Sequence, residues 1–442
     1  MKLHLLITFA LLWALTSCID DSVTRDSSSQ PQFSDTKIEM APLLSGQSSP
    51  VYKLKVFNPA GKAISIDHIG VSGNDSEFYS FNIDGHSGTE FSDIEIRGGD
   101  SIFVFIQSTA PERGTSISCS LNFSTAGKTS SIPVNTPVIE ATVLNAPQIT
   151  SDLTWEGNYY IQGNATVANG AVLTLRPYTN IYFADNSSLT VNGSLVAEGT
   201  VEAPIVLQGD RFDNIIPDVS YSLIAGQWKG LTFGEGARGT LNYTSVLNAE
   251  NNISAREGSE LSLFNCQIHN ASDNVLTLDK GKLQSVGCEF TDAGKNVLAI
   301  TSSEAGFIHS TIANFYLLAY PVEPIINLSG NNALNFSNSI IYGLSPELSS
   351  EKAIENLPIY FRHCMFNSPG ENDSNFIDCI WNTDPLLNIA REEYIFDYTP
   401  SAASPALNSG DSSLTPETWK SDRLGNKIPE TPPIGAYSVN IR

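Results

Sequence analysis

The sequence predicts an all-β protein in two parts, an antiparallel β-sandwich followed by a parallel β-helix. Three observations predict it. Apolar and polar residues alternate with period two over residues 37–145, a fixed 22-residue interval recurs between residues 244 and 314, and the chain is rich in Gly (32 of 442 residues) and in turn-forming Asn and Ser. With 41% hydrophobic and 16% charged residues the chain can bury a sizeable core and is not globally disordered. Its 24 Lys+Arg against 47 Asp+Glu leave a formal charge of −23, which argues against nucleic acid and against an anionic lipid surface as partners.

The first element is a targeting segment. Lys2 precedes an apolar run, Leu5 to Leu15, that is shorter than the ~20 residues of a spanning helix. The run ends Leu15-Thr16-Ser17-Cys18, which resembles a bacterial lipobox, and the resemblance implies a signal peptide over 1–17 and a lipid acceptor at Cys18. Asp20-Asp21 resembles the export tag of surface lipoproteins in some Gram-negative anaerobes. Residues 18–36, rich in Ser and Asp, read as a flexible tether. The expectation is an outer-membrane lipoprotein facing the cell exterior, held to the membrane by its N-terminal lipid alone. Five cysteines then remain (Cys119, Cys266, Cys288, Cys364 and Cys379), an odd number with no CxxC spacing. That suits buried thiols better than a disulfide framework or a zinc site, and no cofactor is expected.

The second element, residues 37–145, carries short alternating runs: Tyr52-Lys53-Leu54-Lys55-Val56, Ile102 to Ile106 and Ile117 to Phe123, with a turn at Asn58-Pro59-Ala60-Gly61. Strands of this length separated by turn signals suggest a sandwich. The order K-V-F-N-P-A-G, I-S-I-D, G-G-D-S-I-F-V-F-I resembles the immunoglobulin-like modules of bacterial surface proteins, which serve as spacers or docking surfaces.

The third element is the repeat. Thr244, Cys266, Cys288 and Ser310 lie 22 residues apart, as do Val246, Ile268, Phe290 and Ile312, and Asn248, Asn270, Asp292 and Asn314. A further column holds Ile253, Val275 and Val297, each preceded by Asn. Three short strands and their turns fill such an interval, and stacking successive circuits about 4.8 Å apart pairs every backbone edge and buries like on like. Ser339-Ile340-Ile341 and Cys364-Met365-Phe366 continue the column at longer intervals that imply inserted loops. Leucine-rich repeats, the competing architecture at this period, would need a leucine spacing that is absent.

Residues 153–183, the run L-T-V-N-G-S-L-V-A-E-G and then W-K-G-L-T-F resemble the opening circuits of right-handed parallel β-helix proteins of the bacterial surface. D-P-L-L at 384–387, S-P-A-L-N-S-G-D at 404–411 and P-I-G-A-Y at 433–437 resemble the closing segment of the same group. The resemblance implies a β-helix over 146–400 and a closing segment over 401–442. It says little about activity, because the group holds binding proteins and adhesins beside polysaccharide enzymes.

No catalytic residue is assigned. Asn382-Thr383-Asp384 resembles a polygalacturonase triplet whose partner motifs are missing. A lyase would need a base and carboxylates on adjacent circuits of one outward face. Of the positions read as outward, Tyr243, Asn265, Gly287 and His309 on one side and Ser245, Gln267, Glu289 and Thr311 on the other, only Glu289 is a carboxylate. His309 and His363 read as solvated histidines or proton-transfer groups, and Ile340 and Met365 as outward apolar residues on a side that something covers. Two stretches are candidates for binding. Asp210, Asp213 and Asp218 lie in an excursion whose oxygen donors could take calcium. Phe315, Tyr316 and Tyr320 form an aromatic run suited to a sugar or a protein. The expected function is a lipid-anchored, non-enzymatic surface protein presenting a β-helical face to a glycan or an outer-membrane protein partner, alone or within an outer-membrane complex. The alternative is a polysaccharide lyase.

Overall fold

A computed structural model describes residues 22–216 and 219–439. The protein is all-β, with half of its residues in strands and 4% in helix. It divides into two compact units at Glu140/Ala141.

The N-terminal unit contains a seven-stranded and a five-stranded sheet. Their pairings are mostly antiparallel, as between Ser116–Thr125 and Lys128–Ile139 and between Ser101–Ser108 and Tyr52–Phe57. Alternation decides which side chains are buried: Leu54, Val56, Val104 and Ile106 of one sheet meet Ile64, Ile66, Leu121 and Phe123 of the other in one core. Cys119 belongs to this core, and burial pushes its thiol up to about 12, which removes the reactive thiolate. The Asn58 turn is held from inside, since its buried amide donates to the carbonyls of Lys62, Ile96 and Arg97. Part of the stretch read as a tether is structured instead. Val23–Thr24 pairs with Ala63 and Ile64, Gln32–Phe33 pairs with Val56 and Phe57, and the Phe33 ring lies 4.7 Å from that of Phe123.

In the second unit successive strands visit three sheets in rotation, and the sheets hold ten, nine and ten strands in sequence order. Within these sheets the neighbouring strands are parallel, an arrangement compatible with a parallel β-helix. The 22-residue column is a register: Val246 pairs with Ile268, Ile268 with Phe290, Phe290 with Ile312 and Ile312 with Ile341. All five are fully buried in one continuous core. The neighbouring small column is equally buried, and Cys266, Cys288, Cys364 and Cys379 are free thiols in it. Phe307, Phe336, Phe361 and Phe376 stack with centroids 4.5–4.9 Å apart and planes within 6°, an aromatic ladder on the inner face of the third sheet.

The asparagine column does what side-chain amides do at tight bends. Asn248, Asn270 and Asp292 adopt φ of +64°, +62° and +61°, a left-handed conformation that Asn and Asp tolerate, and the Asn270 amide donates to Asn248 Oδ1 at 2.9 Å. Asn314 departs from the column and bonds the Ala293 backbone on both sides.

Residues read as outward surface lie elsewhere. Tyr243, Asn265, Gly287, His309, Asn338 and His363 form a second left-handed bend, φ +43° to +65°, one per circuit between the third and first sheets. Here the closing segment lies down along the stack. Trp419 donates to Asn265 Oδ1 at 2.9 Å and stacks on His309 at 4.1 Å. His309 is fully buried, not solvated, with Nδ1 3.0 Å from the Pro433 carbonyl and Nε2 2.8 Å from Thr415 Oγ1. Gly287 is required, because a Cβ there would sit 2.3 Å from Trp419 Nε1. His363 is half-buried, 3.6 Å from Asp411.

The same segment covers the outer face of the first sheet. Arg423 donates to Ser245 Oγ and Gln267 Oε1, both at 2.9 Å, Ala436 N donates to Thr311 Oγ1 at 3.0 Å, and the Tyr437 hydroxyl donates to Glu289. Ile340 and Met365 do point outward in sequence terms, and what covers them is this chain's own Ala406 and Ile434. Asn382-Thr383-Asp384 is structural: Asp384 Oδ1 accepts the Leu386 N–H at 2.8 Å in a tight turn.

Candidate binding site

At the N-terminal end of the first sheet the outer face is covered by the 210–227 excursion. Tyr160 and Tyr182 are registered neighbours on parallel strands. Their rings point out of the sheet, because Ile161 and Phe183 beside them take the inward positions. Both are buried under the excursion: Tyr160 Oη donates to Asp210 Oδ2 at 2.8 Å, and Phe212 meets Tyr182 edge-on at 5.5 Å. Beyond them Asn214–Ile216 and Val219–Ser220 form a small hairpin. Trp228 returns the chain to the stack, lying flat on Phe183 at 4.0 Å with Nε1 donating to the Leu247 carbonyl at 2.8 Å.

Between excursion and stack lies a cavity of about 480 Å³ lined by Asp185, Asp210, Arg211, Tyr221, Ile224, Ala225, Gly226 and Gln227. Burial raises the Asp210 carboxyl above the ordinary carboxylate range, against the lowering influence of Tyr160 and Arg211. Burial also raises Tyr160, as does Asp210, so this phenol stays protonated and is a poor general base. The Arg211 guanidinium grips Asp213 with two bonds of 2.6 Å and lies 4.0 Å above the Tyr221 ring.

The predicted residues therefore separate. Asp210 lines the cavity, Asp213 is taken up by Arg211, and Asp218 and Cys18 lie outside the described residues. No group of three or more His, Cys, Asp or Glu able to hold a metal converges among the described residues. The aromatic run divides as well. Phe315 packs on Tyr342 and Tyr398, Tyr316 is buried, and the Arg391 side chain, between the antiparallel strands Leu387–Ala390 and Ile395–Pro400, donates to the carbonyls of Tyr316 and Leu317. Tyr316 is thus buried and Phe315 half-buried, whereas Leu318, Tyr320 and Val322 remain exposed.

Sequence reasoning missed Asp185, Tyr221 and Gln227, which no repeat or motif marks. It also missed a basic and acidic set on adjacent circuits. His269 Nδ1 lies 3.6 Å from Asp292 and 2.9 Å from Thr291 Oγ1, whose hydroxyl donates to Glu289 at 2.8 Å. The same 22-residue interval, applied one position before the asparagine column, pairs His269 with Thr291 and could have found it. This set is sealed: the Tyr398 and Tyr437 hydroxyls donate to Asp292 and Glu289, and the side chains of both carboxylates are nearly inaccessible. It fastens the closing segment and offers no open reaction site.

The outer face of the third sheet is not covered in this way. Arg238, Glu260, Lys282 and Glu304 form one registered row of alternating charge. Thr240, Ser262, Gln284, Gly306, Asn335 and Tyr360 form the row beside it. A shallow depression of about 280 Å³ lies across both rows between Arg238 and Gln284.

No family model matches the chain, and no curated protein matches it. Among solved structures it is similar to a protein of unknown function from Porphyromonas gingivalis W83, at 13% identity and a TM-score of 0.20, over 28% of this chain and 51% of that one. It is also similar to a family 123 glycoside hydrolase from Clostridium perfringens, at 9% identity and a TM-score of 0.19, over 27% of this chain and 26% of that one. The chain thus spans about half and a quarter of these two proteins.

Proposed function

We propose that the protein is a lipid-anchored, non-enzymatic surface protein of the outer membrane. In this reading its second unit, a right-handed parallel β-helix, presents the third sheet to a glycan or a protein partner. The N-terminal unit is an immunoglobulin-like sandwich that spaces or docks it, and Cys18 carries the lipid. The carrying observation is the asymmetry of the outer faces. The first sheet is closed by the chain's own segments, whereas the third leaves Arg238, Thr240, Glu260, Ser262, Lys282 and Gln284 exposed around a shallow depression. Short hydroxyl and amide side chains flanked by alternating charge match a hydrated, hydrogen-bonding partner better than an apolar one. The lyase alternative has less support. The Tyr160 phenol beneath the excursion is held protonated, the Arg211 guanidinium is engaged by Asp213, and the His269 set is sealed beneath the closing segment.

A photo-crosslinker at Ser262 or Gln284 of the membrane-anchored protein tests the reading. Capture of a glycan or membrane protein there, but not from a crosslinker at the covered Thr311, is expected. Equal capture from both positions refutes it. Release of unsaturated sugars from a polysaccharide panel would overturn the non-enzymatic assignment, and persistent lipid labelling of Cys18→Ala would overturn the anchor.

A further inference from the structure

The outer face of the five-stranded sheet in the N-terminal unit sets cations beside aromatic rings in a repeating pattern. Strand Tyr52–Phe57 lies antiparallel to Ser101–Ser108. Leu54, Val56, Val104 and Ile106 point into the core, so the residues between them point out. Lys55 stands directly opposite Phe103, and Lys53 directly opposite Phe105. The Lys55 ammonium also lies 5.8 Å from the centre of the Phe57 ring, a third aromatic side chain on this face. Phe103 is 45% exposed, both lysines are exposed, and the Phe103 and Phe105 centroids lie 6.4 Å apart. Gln107, Ser80 and Asn82 carry the face on across strand Tyr79–Ile83.

The sign of this face is unlike that of the stack. There cations are met by carboxylates, Arg238 by Glu260, Lys282 by Glu304 and Lys229 by Glu250. Among the described residues no ion pair engages Lys53 or Lys55. The outward positions of the three strands hold no carboxylate. Asp84 and Asp100 stand beyond strand ends, and Asp100 accepts the Ser101 N–H at 2.7 Å. Charges more than about 8 Å away are screened at physiological salt, so a bound group meets the two ammonium groups and not the acidity of the whole chain. Single exposed apolar residues are ordinary, but contiguous rings flanked by unneutralised cations mark a surface that a partner completes.

The repeated pair specifies the chemistry of that partner. An acidic peptide brings charge on flexible stems with no flat face for the rings. A neutral sugar brings the face and leaves the ammonium groups unmet. A hexuronate residue carries both, a pyranose ring with C–H groups on its faces and a carboxylate at its rim. In a polyuronate ring and charge recur together, as Phe103 with Lys55 and Phe105 with Lys53 do. We infer that this face binds an acidic polysaccharide, with Phe103 and Phe105 beneath sugar rings and Lys55 and Lys53 donating to their carboxylates. The site is separate from the third sheet and holds whatever that sheet binds.

The probes are three hexamers: hexagalacturonate, maltohexaose, which has rings without charge, and hexaglutamate, which has charge without rings. Titrated calorimetrically into the full chain, hexagalacturonate binds, and each of the others binds about tenfold more weakly or not at all. The double variant Lys53→Gln, Lys55→Gln and the single variant Phe103→Ala each weaken hexagalacturonate about tenfold. All three positions are exposed, so the core keeps its packing. Lys37→Gln with Lys128→Gln, the same change of charge outside this sheet, leaves the affinity as it was. Absence of hexagalacturonate binding, equal binding of either other hexamer, or an equal loss in the Lys37 and Lys128 variant each overturns the assignment.

Discussion

The Tyr437 hydroxyl donates to the Glu289 carboxylate across 148 residues of chain. The bond ties the closing segment to the middle of the first sheet. Glu289 also accepts from Gln267 at 3.1 Å and Thr291 at 2.8 Å, so its buried charge is met by three donors from three segments. Tyr437→Phe removes one donor and keeps the ring. The expected cost is about 2 kcal/mol, the usual size for a hydrogen bond to a charged group. Hydrogen exchange should quicken in residues 423–438 well before the stacked strands respond, and a loss under 0.5 kcal/mol in urea unfolding would contradict this account.

His309 makes the same segment sensitive to acid. Burial lowers its imidazole from the ordinary 6.5 to about 3. The unfolded chain therefore binds a proton that the folded chain refuses, and stability falls as pH drops from about 6.5 toward 3, by about 5 kcal/mol in all. The buried carboxyls Asp292 and Asp422, raised by burial, act with the opposite sign: they favour the folded state at low pH and lose that contribution as pH rises through their raised values. His309→Asn, which tolerates the left-handed bend, removes the histidine contribution alone. Wild type minus variant should then show a stability difference that shrinks steadily between pH 6.5 and 3. A constant difference would remove His309 from the explanation.

The aromatic ladder concentrates packing energy in the later circuits. Phe336 is fully buried between Phe307 at 4.8 Å and Phe361 at 4.5 Å. Phe336→Ala should cost about 3–5 kcal/mol, because the parallel strands on either side prevent the cavity from collapsing. Phe336→Leu should recover more than half of that. Equal losses for the two would mean that ring volume is not what the ladder supplies.

The five described cysteines should behave as apolar residues. All are buried and free. In the folded protein none should react with a thiol reagent within hours, and all should react at once in guanidinium. One rapidly reacting thiol in the native state would show that a strand of the stack opens locally.

Much of the stack was legible from residue spacing. A parallel register turns a constant interval into vertical neighbours, so Val246, Ile268 and Phe290 could be placed together without coordinates. The left-handed asparagines could be read for a similar reason, since a tight bend restricts what may occupy it. The candidate site was legible only in part. Asp210 stands in an excursion whose acidity is visible, but Gln227 and Asp185 reach the cavity through the path of a loop that breaks the repeat, and a repeat says nothing about its interruptions.

Period and alternation are local properties, and through them the sequence by itself determined the strands, their vertical pairing and the inward columns. Which outward face stays open was decided only by the tertiary structure. Outwardness follows from the pleat, whereas coverage follows from contacts such as Arg423 with Ser245 and Trp419 with Asn265. Those partners stand more than 150 residues apart and share no interval, so only the folded chain brings them together.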